Sequence, residues 1–256
     1  MPKPIKKRVK KRNVAEREVI SLYEKFVDYY LENKKTVYMG AALAVLFIAI
    51  VTGLFFYNKK LTEQAATLQY KGYKLYHNLY QEDGKKVNED ALKKALEKFQ
   101  EAYDKKSSPI RLLYIANTQF ALGQNKDALK TLEQFTKKYS GNKDLLPLAY
   151  YKIAAIQMKE GRKEEALKTL DTLYSLRTSP FLKDVALHDS ASILEGMGRK
   201  KEALKKYEQL ARDYPQSPYS QLAVTEVKKE TEKKMKDNKN NKDNKADKGT
   251  TKKKKP

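Results

Sequence analysis

The sequence predicts an all-α protein: a single N-terminal transmembrane helix, followed by an α-solenoid of about four helix pairs and a capping helix. Three observations support this prediction. One stretch of roughly 20 residues is apolar and uncharged. A Gly-containing segment recurs at intervals of 38 and 37 residues. The chain has only 10 Gly and 8 Pro, fewer than a protein of many strands and tight turns would need.

Composition excludes several classes of function. The 256 residues include 54 Lys and Arg against 32 Asp and Glu, a formal net charge of +22. The absence of cysteine excludes disulfide scaffolds, thiolate zinc sites and cysteine nucleophiles. Nucleotide-binding, zinc-protease and serine-hydrolase motifs are also missing, and His77 and His188 are isolated from each other. We therefore expect no enzyme activity, no metal and no cofactor.

Residues 1–35 are expected to form a cytoplasmic segment with a basic arm. Beyond the arm, apolar residues recur at steps of three and four and predict an amphipathic helix. This helix could lie on the inner leaflet, pack on a partner's cytoplasmic segment or remain solvated. The arm is expected to contact anionic lipid headgroups; it contains Lys3, Lys6, Lys7, Arg8, Lys10, Lys11 and Arg12.

Residues 36–58 form the predicted transmembrane helix. Tyr38 and Tyr57 are their only ionisable side chains, and both lie where aromatic rings favour the membrane interface. A helix that is apolar all round could also be the core of a large domain, and an apolar N-terminal stretch could be a cleaved signal peptide. The 35 preceding residues are too many for the n-region of a signal peptide, and the segment ends in bulky Leu-Phe-Phe-Tyr and not in a small-residue cleavage site, so an uncleaved signal anchor is the prediction.

Basic residues near the span predict its orientation. The nearest flanks carry equal numbers of Lys and Arg, and the N-terminal basic arm breaks the tie because it is easier to retain in the cytoplasm than to translocate. The N-terminus is therefore expected inside, and the long C-terminal part outside.

Internal repeats organise residues 59–235. Three segments align without gaps and begin at Gly123, Gly161 and Gly198. Each Gly follows one apolar-periodic stretch and precedes another, which predicts a helix, a turn and a second helix. The second helices carry a small residue followed by large ones at i+4 and i+7, and a fourth copy precedes them. These positions are Ala128, Leu132, Phe135; Ala166, Leu170, Leu173; Ala203, Tyr207, Leu210; and, in the fourth copy, Ala95, Phe99, Ala102.

Ser-Pro pairs predict where three helices begin, because proline is favoured in the first helical turn. They are Ser108-Pro109, Ser179-Pro180 and Ser217-Pro218, and the last is expected to open a capping helix from Tyr219 to about residue 234. Residues 236–256 lack apolar periodicity and are predicted to be a disordered Lys/Asn/Asp-rich tail. The tail either solubilises the protein or holds an acidic partner.

The repeats resemble the tetratricopeptide repeat (TPR) over residues 61–235. The family pattern is matched by Ala95 with Phe99, by Ala203 with Tyr207 and by the trailing Pro215, whereas the chain has no Trp and two of its periods are longer. The resemblance implies a curved solenoid lined by the first helix of each pair, which binds proteins or peptides. Transferring the groove positions gives Leu113, Asn117, Phe120, Tyr151, Ala155, Met158, His188, Ser192 and Glu195 as candidate binding residues.

The order of the segments also resembles the YfgM-like family, the ancillary subunits of the SecYEG translocon. Glu32-Asn33-Lys34-Lys35, one span, Tyr57-Asn58 and divergent repeats carry this resemblance. It implies a bacterial inner-membrane protein with periplasmic repeats, whose partners are the Sec translocon, periplasmic chaperones and secreted chains.

Two hypotheses follow for the function. One is a membrane-anchored adaptor for secreted chains or chaperones. The other is a structural envelope scaffold that holds fixed protein partners or a polyanion, or a cytosol-facing scaffold if the topology is reversed. Nucleic-acid binding is disfavoured because the two densest basic blocks lie on opposite sides of the predicted membrane.

Overall fold

A computed structural model of the chain describes residues 14–77, 88–177 and 180–250. Within these ranges every regular element is a helix, as the sequence predicts. Contacts divide the chain into two units, residues 1–61 and residues 62–256. The helices are α1 (Val14–Glu32), α2 (Lys34–Tyr76), α3 (Glu89–Lys105), α4 (Pro109–Ala121), α5 (Asn125–Lys138), α6 (Leu146–Lys159), α7 (Lys163–Ser175), α8 (Lys183–Gly196), α9 (Lys200–Asp213) and α10 (Ser220–Thr250).

The first unit holds α1 and the apolar first part of α2. Between these helices the hydroxyls of Tyr30 and Tyr38 share a hydrogen bond of 2.6 Å. The side chains from Tyr38 to Tyr57 are exposed along α2. Among the described residues, α2 is the one helix long and apolar enough to cross a membrane. The basic arm lies outside the described residues.

Helix α2 is longer than the sequence predicts, because it continues without a break from the apolar segment to Tyr76. The first helix of the first repeat is expected at residues 61–81; its residues 61–76 are the end of α2 and not a separate element, and residues 78–81 lie outside the described residues. Ala65 and Gly72 are its buried residues. A Cβ added to Gly72 would lie 2.9 Å from the Phe99 ring, so the absence of a side chain lets that ring approach the α2 backbone.

In the second unit, successive helices from α3 to α10 pack against one another. Helix α4 also contacts α6, so the first helices of these two neighbouring pairs meet. Packing between sequence neighbours is the arrangement of a solenoid, in which each repeat covers the apolar face of the next. The predicted α-solenoid is confirmed, with α4–α5, α6–α7 and α8–α9 as the three Gly-containing pairs.

The alternation of small and large residues in the second helices forms the core. In α5, Ala128, Leu132 and Phe135 are completely buried, and the corresponding residues of α3, α7 and α9 are also buried. A small residue lets two helices approach closely at one level, and the large residue one turn later fills the space between them. The pattern in the sequence therefore identifies the buried face of each second helix correctly.

The turn between the helices of each pair needs glycine. Gly123, Gly161 and Gly198 have φ of +75°, +75° and +76°, a left-handed conformation in which a Cβ is unfavourable. In the second pair, the N–H of Arg162 donates to the Gln157 carbonyl at 2.8 Å, which satisfies a carbonyl group at the end of α6. The other two pairs repeat this bond from residues 124 and 199.

The Gly161→Ala variant is expected to be less stable than the wild type by about 1–2 kcal/mol, because alanine is strained at this φ. No atom lies within 4 Å of the added Cβ, so the penalty comes from the backbone alone. The matched control is Gly196→Ala, at the end of α8, where φ is not left-handed and the Cβ also meets nothing. Urea denaturation followed by circular dichroism measures both; equal stability of the two variants would contradict the prediction.

A side-chain hydrogen bond joins the two helices of each Gly-containing pair, and in the first two pairs it lies at corresponding positions. Thr131 donates to Gln119, and Thr169 donates to Gln157, both at 2.8 Å. In the last pair the Tyr207 hydroxyl donates to Glu195 at 3.1 Å. All three bonds connect residues 12 apart, but only the first two occupy the same repeat positions, because Tyr207 takes the place of Leu132 and Leu170. The apolar pattern does not reveal these bonds. Glu195 is one of the predicted groove residues, and its carboxylate accepts this bond.

Because of the bond between Tyr207 and Glu195, the stability of the fold is expected to fall at alkaline pH. Burial of Tyr207 and the Glu195 carboxylate raise the pKa of the phenol from 10.0 to about 12. Because the folded pKa lies above the unfolded one, this contribution to stability is complete below pH 10 and is lost as the pH rises toward about 12.

We therefore expect the wild type to lose about 2 kcal/mol more stability between pH 9 and 12 than the Tyr207→Phe variant, which has no phenol to ionise. Urea titrations of both proteins across this range measure the difference, in which the titration of all other groups cancels. Parallel stability curves would contradict the expectation.

Two of the three Ser-Pro pairs do not mark a helix start. Ser108 is the N-cap residue of α4 and Pro109 its first residue, as predicted. Helix α8, however, begins at Lys183 after Leu182, whose φ is +62°, and Ser179 lies outside the described residues. Helix α10 begins at Ser220, because Ser217 and Pro218 lie in a turn in which Ser217 donates to Asp184 at 2.8 Å.

The capping helix also extends further than predicted. The backbone of α10 is helical to Thr250, which differs from the lack of structure expected for the first part of the tail. Residues 236–250 contain no Glu and are rich in Asn and Asp, which favour a helix less than Lys or Ala does, so intrinsic helix propensity does not explain this extension. Residues 251–256 lie outside the described residues.

Candidate functional site

Helix α6 presents one exposed face that includes three of the predicted binding residues. Its apolar residues Ala149, Ile153 and Ile156 are buried in the core. Tyr151, Ala155 and Met158 are spaced by three and four residues on the opposite side and remain partly exposed. The sequence places them there because a 3.6-residue period separates the core stripe from the groove stripe.

A cavity of about 320 Å³ lies between α6 and α8 over this face. Four of the predicted groove residues line it, namely Tyr151, Ala155, Met158 and Ser192. The remaining lining residues are Ala154, Leu170, Asp189 and Ile193. The cavity therefore brings together residues from two successive pairs; Tyr151 and Asp189, for example, are 38 residues apart along the chain.

The cavity has an apolar floor and polar groups at its edge. Leu170 and Ile193 are 2% and 6% exposed, so they can be contacted only from inside the cavity. Burial raises the pKa of the Tyr151 hydroxyl, and the nearby Asp189 carboxylate raises it further, so this phenol is a neutral hydrogen-bonding group at neutral pH. Such a site can hold an apolar side chain and bond to polar atoms beside it.

His188 lies beside the cavity and supports Asp189. The His188 ring stacks on Tyr219, with 4.3 Å between the ring centroids, and its Nδ1 lies 2.9 Å from a carboxylate oxygen of Asp189. The structure therefore places His188 next to the lining and not in it. Asp189 itself is not among the predicted binding residues, although its position one turn before Ser192 could have indicated it.

The α4 side of the groove has a different character. The ammonium groups of Lys152 and Lys159 lie 5.0 and 4.7 Å from the centroid of the Phe120 ring. Burial lowers the pKa of Lys152. Neither lysine is in a salt bridge with any described carboxylate. This surface, which we call the Phe120 surface and define by Phe120, Lys152 and Lys159, carries positive charge beside the cavity.

The other predicted residues of α4 differ in exposure. Asn117 is partly buried, and its side-chain oxygen has no hydrogen-bond partner among the described residues. Leu113 is only 6% exposed and lies in the core with Leu112, so it does not line the groove. Leu112 and Leu113 are consecutive and both apolar, and packing against α3 and α5 decides that both are buried.

Within the ranges that the structure describes, no group of three or more His, Asp or Glu side chains is arranged to hold a metal ion. The arrangement of the groove is that of a contact surface for a polypeptide: an apolar cavity, hydrogen-bonding groups at its edge and charges on either side.

Comparison with known proteins gives a family and several structures of related fold. A family model described as a tetratricopeptide repeat-like domain matches residues 28–208. MamA from Desulfovibrio magneticus RS-1, from its residue 41 to the end, is 14% identical with a TM-score of 0.47, and 68% of this chain and 92% of that chain are covered. YrrB, a TPR protein with an unusual peptide-binding site, is 17% identical with a TM-score of 0.46, over 78% and 97% of the two chains. No curated protein matches the sequence.

Proposed function

The chain belongs to the tetratricopeptide repeat-like domain family, and from this premise we propose that it is a membrane-anchored adaptor whose repeats bind polypeptides. Repeats of this family form scaffolds for protein–protein interaction and are typically not catalytic. The observation that carries the proposal is the cavity between α6 and α8, with its apolar floor and the polar groups of Tyr151, Asp189 and Ser192 at its edge. No enzyme activity is proposed.

The anchor is the apolar segment of α2, residues 36–58. Its exposed apolar side chains would be costly in water and favourable in a hydrocarbon core of about 30 Å. The domains proposed around it are the cytoplasmic segment 1–35, the repeat domain 59–235 and the tail 236–256. The basic arm would add an attraction to anionic lipid headgroups, which salt weakens.

The proposed location is the bacterial inner membrane, with a cytoplasmic N-terminus and periplasmic repeats. The excess of Lys and Arg in the first 12 residues supports this orientation. The resemblance to the YfgM-like family supports the Sec translocon, periplasmic chaperones and secreted chains as partners. The candidate contact residues are Asn117, Phe120, Tyr151 and Met158 on the groove, with His188 beside it.

A topology reporter tests the orientation. Alkaline phosphatase fused after residue 235 is active only outside the cytoplasm, and green fluorescent protein fused at the same site folds well only inside it. We expect an active phosphatase and a dark fluorescent protein. The reverse pattern would replace the proposal with a cytosol-facing scaffold.

Photocrosslinking tests what the groove binds. A photoreactive phenylalanine analogue in place of Tyr151 is expected to capture the translocon, its chaperones or many secreted chains. The matched control is the same analogue in place of Thr172, which is exposed on α7 away from the cavity lining. Capture of one stable envelope component from Tyr151 would favour the structural scaffold instead, and equal capture from both positions would contradict a binding role for the groove.

A further inference from the structure

The size of the cavity limits what its floor can hold. A volume of about 320 Å³ lies at the lower end of the range for ligand pockets. It has room for a large apolar side chain and its neighbouring backbone, and is too small to enclose a helix. Leu170, Ile193 and Ala154 form a floor without a polar side chain, so an apolar residue of the partner is the group that gains most by entering.

A carboxylate marks one side of this cavity. Asp189 lines it, while no Lys or Arg does, although the chain as a whole has far more basic than acidic residues. The contact with His188 at 2.9 Å holds this carboxylate in place. A charge beside an apolar cavity acts through a medium of lower dielectric than water, so it discriminates strongly between basic and acidic neighbours of the inserted residue.

The Phe120 surface has the opposite charge on the other side of α6. Tyr151 and Met158 line the cavity, whereas the next residue after each, Lys152 and Lys159, lies over the Phe120 ring. These two ammonium groups sit near one ring without a described carboxylate partner, so a negative group placed there would relieve their mutual repulsion. Neighbouring helices are about 8–10 Å apart, a distance that an extended chain covers in about three residues.

This inference rests on the proposed function: we infer that the groove selects a polypeptide segment with a basic residue at one end and an acidic residue at the other. The segment has a large apolar residue directly beside Lys or Arg, which pairs with Asp189, and an acidic residue about three positions further along, which lies over Lys152 and Lys159. This partner is assigned because its two charges are opposite to those of Asp189 on one side of α6 and of Lys152 and Lys159 on the other. A segment with the two charges exchanged meets repulsion at both ends, in whichever direction it runs.

Two labelled peptides of identical composition test the inference, with binding measured by fluorescence anisotropy on the full chain in detergent micelles. In the matched peptide a Leu–Lys pair is followed after three residues by Asp, and in the exchanged peptide Asp and Lys trade places. We expect the matched peptide to bind at least tenfold more tightly. The preference should shrink in 0.5 M salt, where the Debye length falls to about 4 Å.

Single substitutions locate the effect. Asp189→Asn keeps a group that can bond to His188 and removes the charge, and it is expected to weaken the matched peptide about fivefold to tenfold without weakening the exchanged one. Lys152→Gln should act in the same way at the other end. The control is Glu133→Gln, an exposed carboxylate on α5 outside the groove, which should change neither affinity. Melting curves by circular dichroism confirm that each variant is folded.

The outcomes separate this inference from the proposed function. Equal affinity for both peptides overturns the charge pattern and leaves a polypeptide-binding groove intact. Binding of neither peptide also overturns the inference. Photocrosslinking from position 151 is then the remaining test of the proposed function. A crosslink from position 151 to a second copy of this chain, if neither peptide reduces its yield, would show that the cavity mediates self-association. That result would overturn the inference.

Discussion

Replacement of Phe99 by alanine is expected to destabilise the repeat domain by about 3–5 kcal/mol. The Phe99 side chain is completely buried. Its ring stacks on Tyr114 with 4.8 Å between centroids and lies against the backbone of α2 at Gly72. Removal of the ring leaves a cavity between α2, α3 and α4 and also removes the surface against which the end of α2 packs.

Urea denaturation of the full chain in detergent micelles, followed by circular dichroism, measures this loss. Gln100→Ala is the matched control, because Gln100 is the next residue of α3 and is exposed. It is expected to change stability by less than about 0.5 kcal/mol. A cost for Phe99→Ala as small as that of the control would mean that the end of α2 does not dock on α3.

Deletion of residues 36–58 is expected to move the protein from the membrane fraction to the supernatant. The segment includes many Leu, Ile, Val and Phe residues, each of which favours the membrane by about 0.3–0.6 kcal/mol, so its removal lowers the partition into the membrane by more than about a thousandfold. Fractionation with an immunoblot against the repeat domain measures the distribution.

The control is a variant in which leucines replace residues 36–58 at the same length, which is expected to stay in the membrane. Both fractions are washed with high salt, because the basic arm could hold some protein on anionic lipid through screened electrostatics. Retention of the deletion variant after that wash would contradict the proposed anchor and assign membrane attachment to another part of the chain.

The fold could be predicted from the sequence because each of its elements depends on local patterns. Gly123, Gly161 and Gly198 indicate the turns, since few other residues tolerate a left-handed φ. The spacing of Ala128, Leu132 and Phe135 indicates the buried face of α5, and its repetition indicates stacking. An uncharged stretch of helix-forming residues likewise predicts a helix whatever surrounds it.

The candidate groove could be predicted only in part. Tyr151, Ala155 and Met158 lie on the groove face, whereas Leu113 is buried. A shift of one residue rotates a side chain by about 100° around the helix axis, so the pattern defines an apolar arc but not its edges. Packing of α4 against its neighbours decides on which side of the edge Leu113 falls.

The observed ends of α2 and α10 differ from the predicted ones because contacts with neighbouring helices also decide them. Proline permits a helix to start without requiring it, so Ser217 and Pro218 lie in a turn because Ser217 donates to Asp184 on α8. The continuity of α2 through residue 58 reflects the absence of any helix-breaking residue at the end of the apolar segment. Only neighbouring structure decides where such a helix stops.

The sequence by itself determined the helical class, the repeat period, the glycine turns and the apolar segment, because backbone sterics and hydrophobic periodicity act over a few residues. The tertiary structure alone decided which side chains meet across pairs. It placed Asp189 beside Tyr151, the two lysines over Phe120 and the Glu195 carboxylate on Tyr207. These contacts depend on the rotation and offset of whole helices, which result from the packing of all the side chains between them.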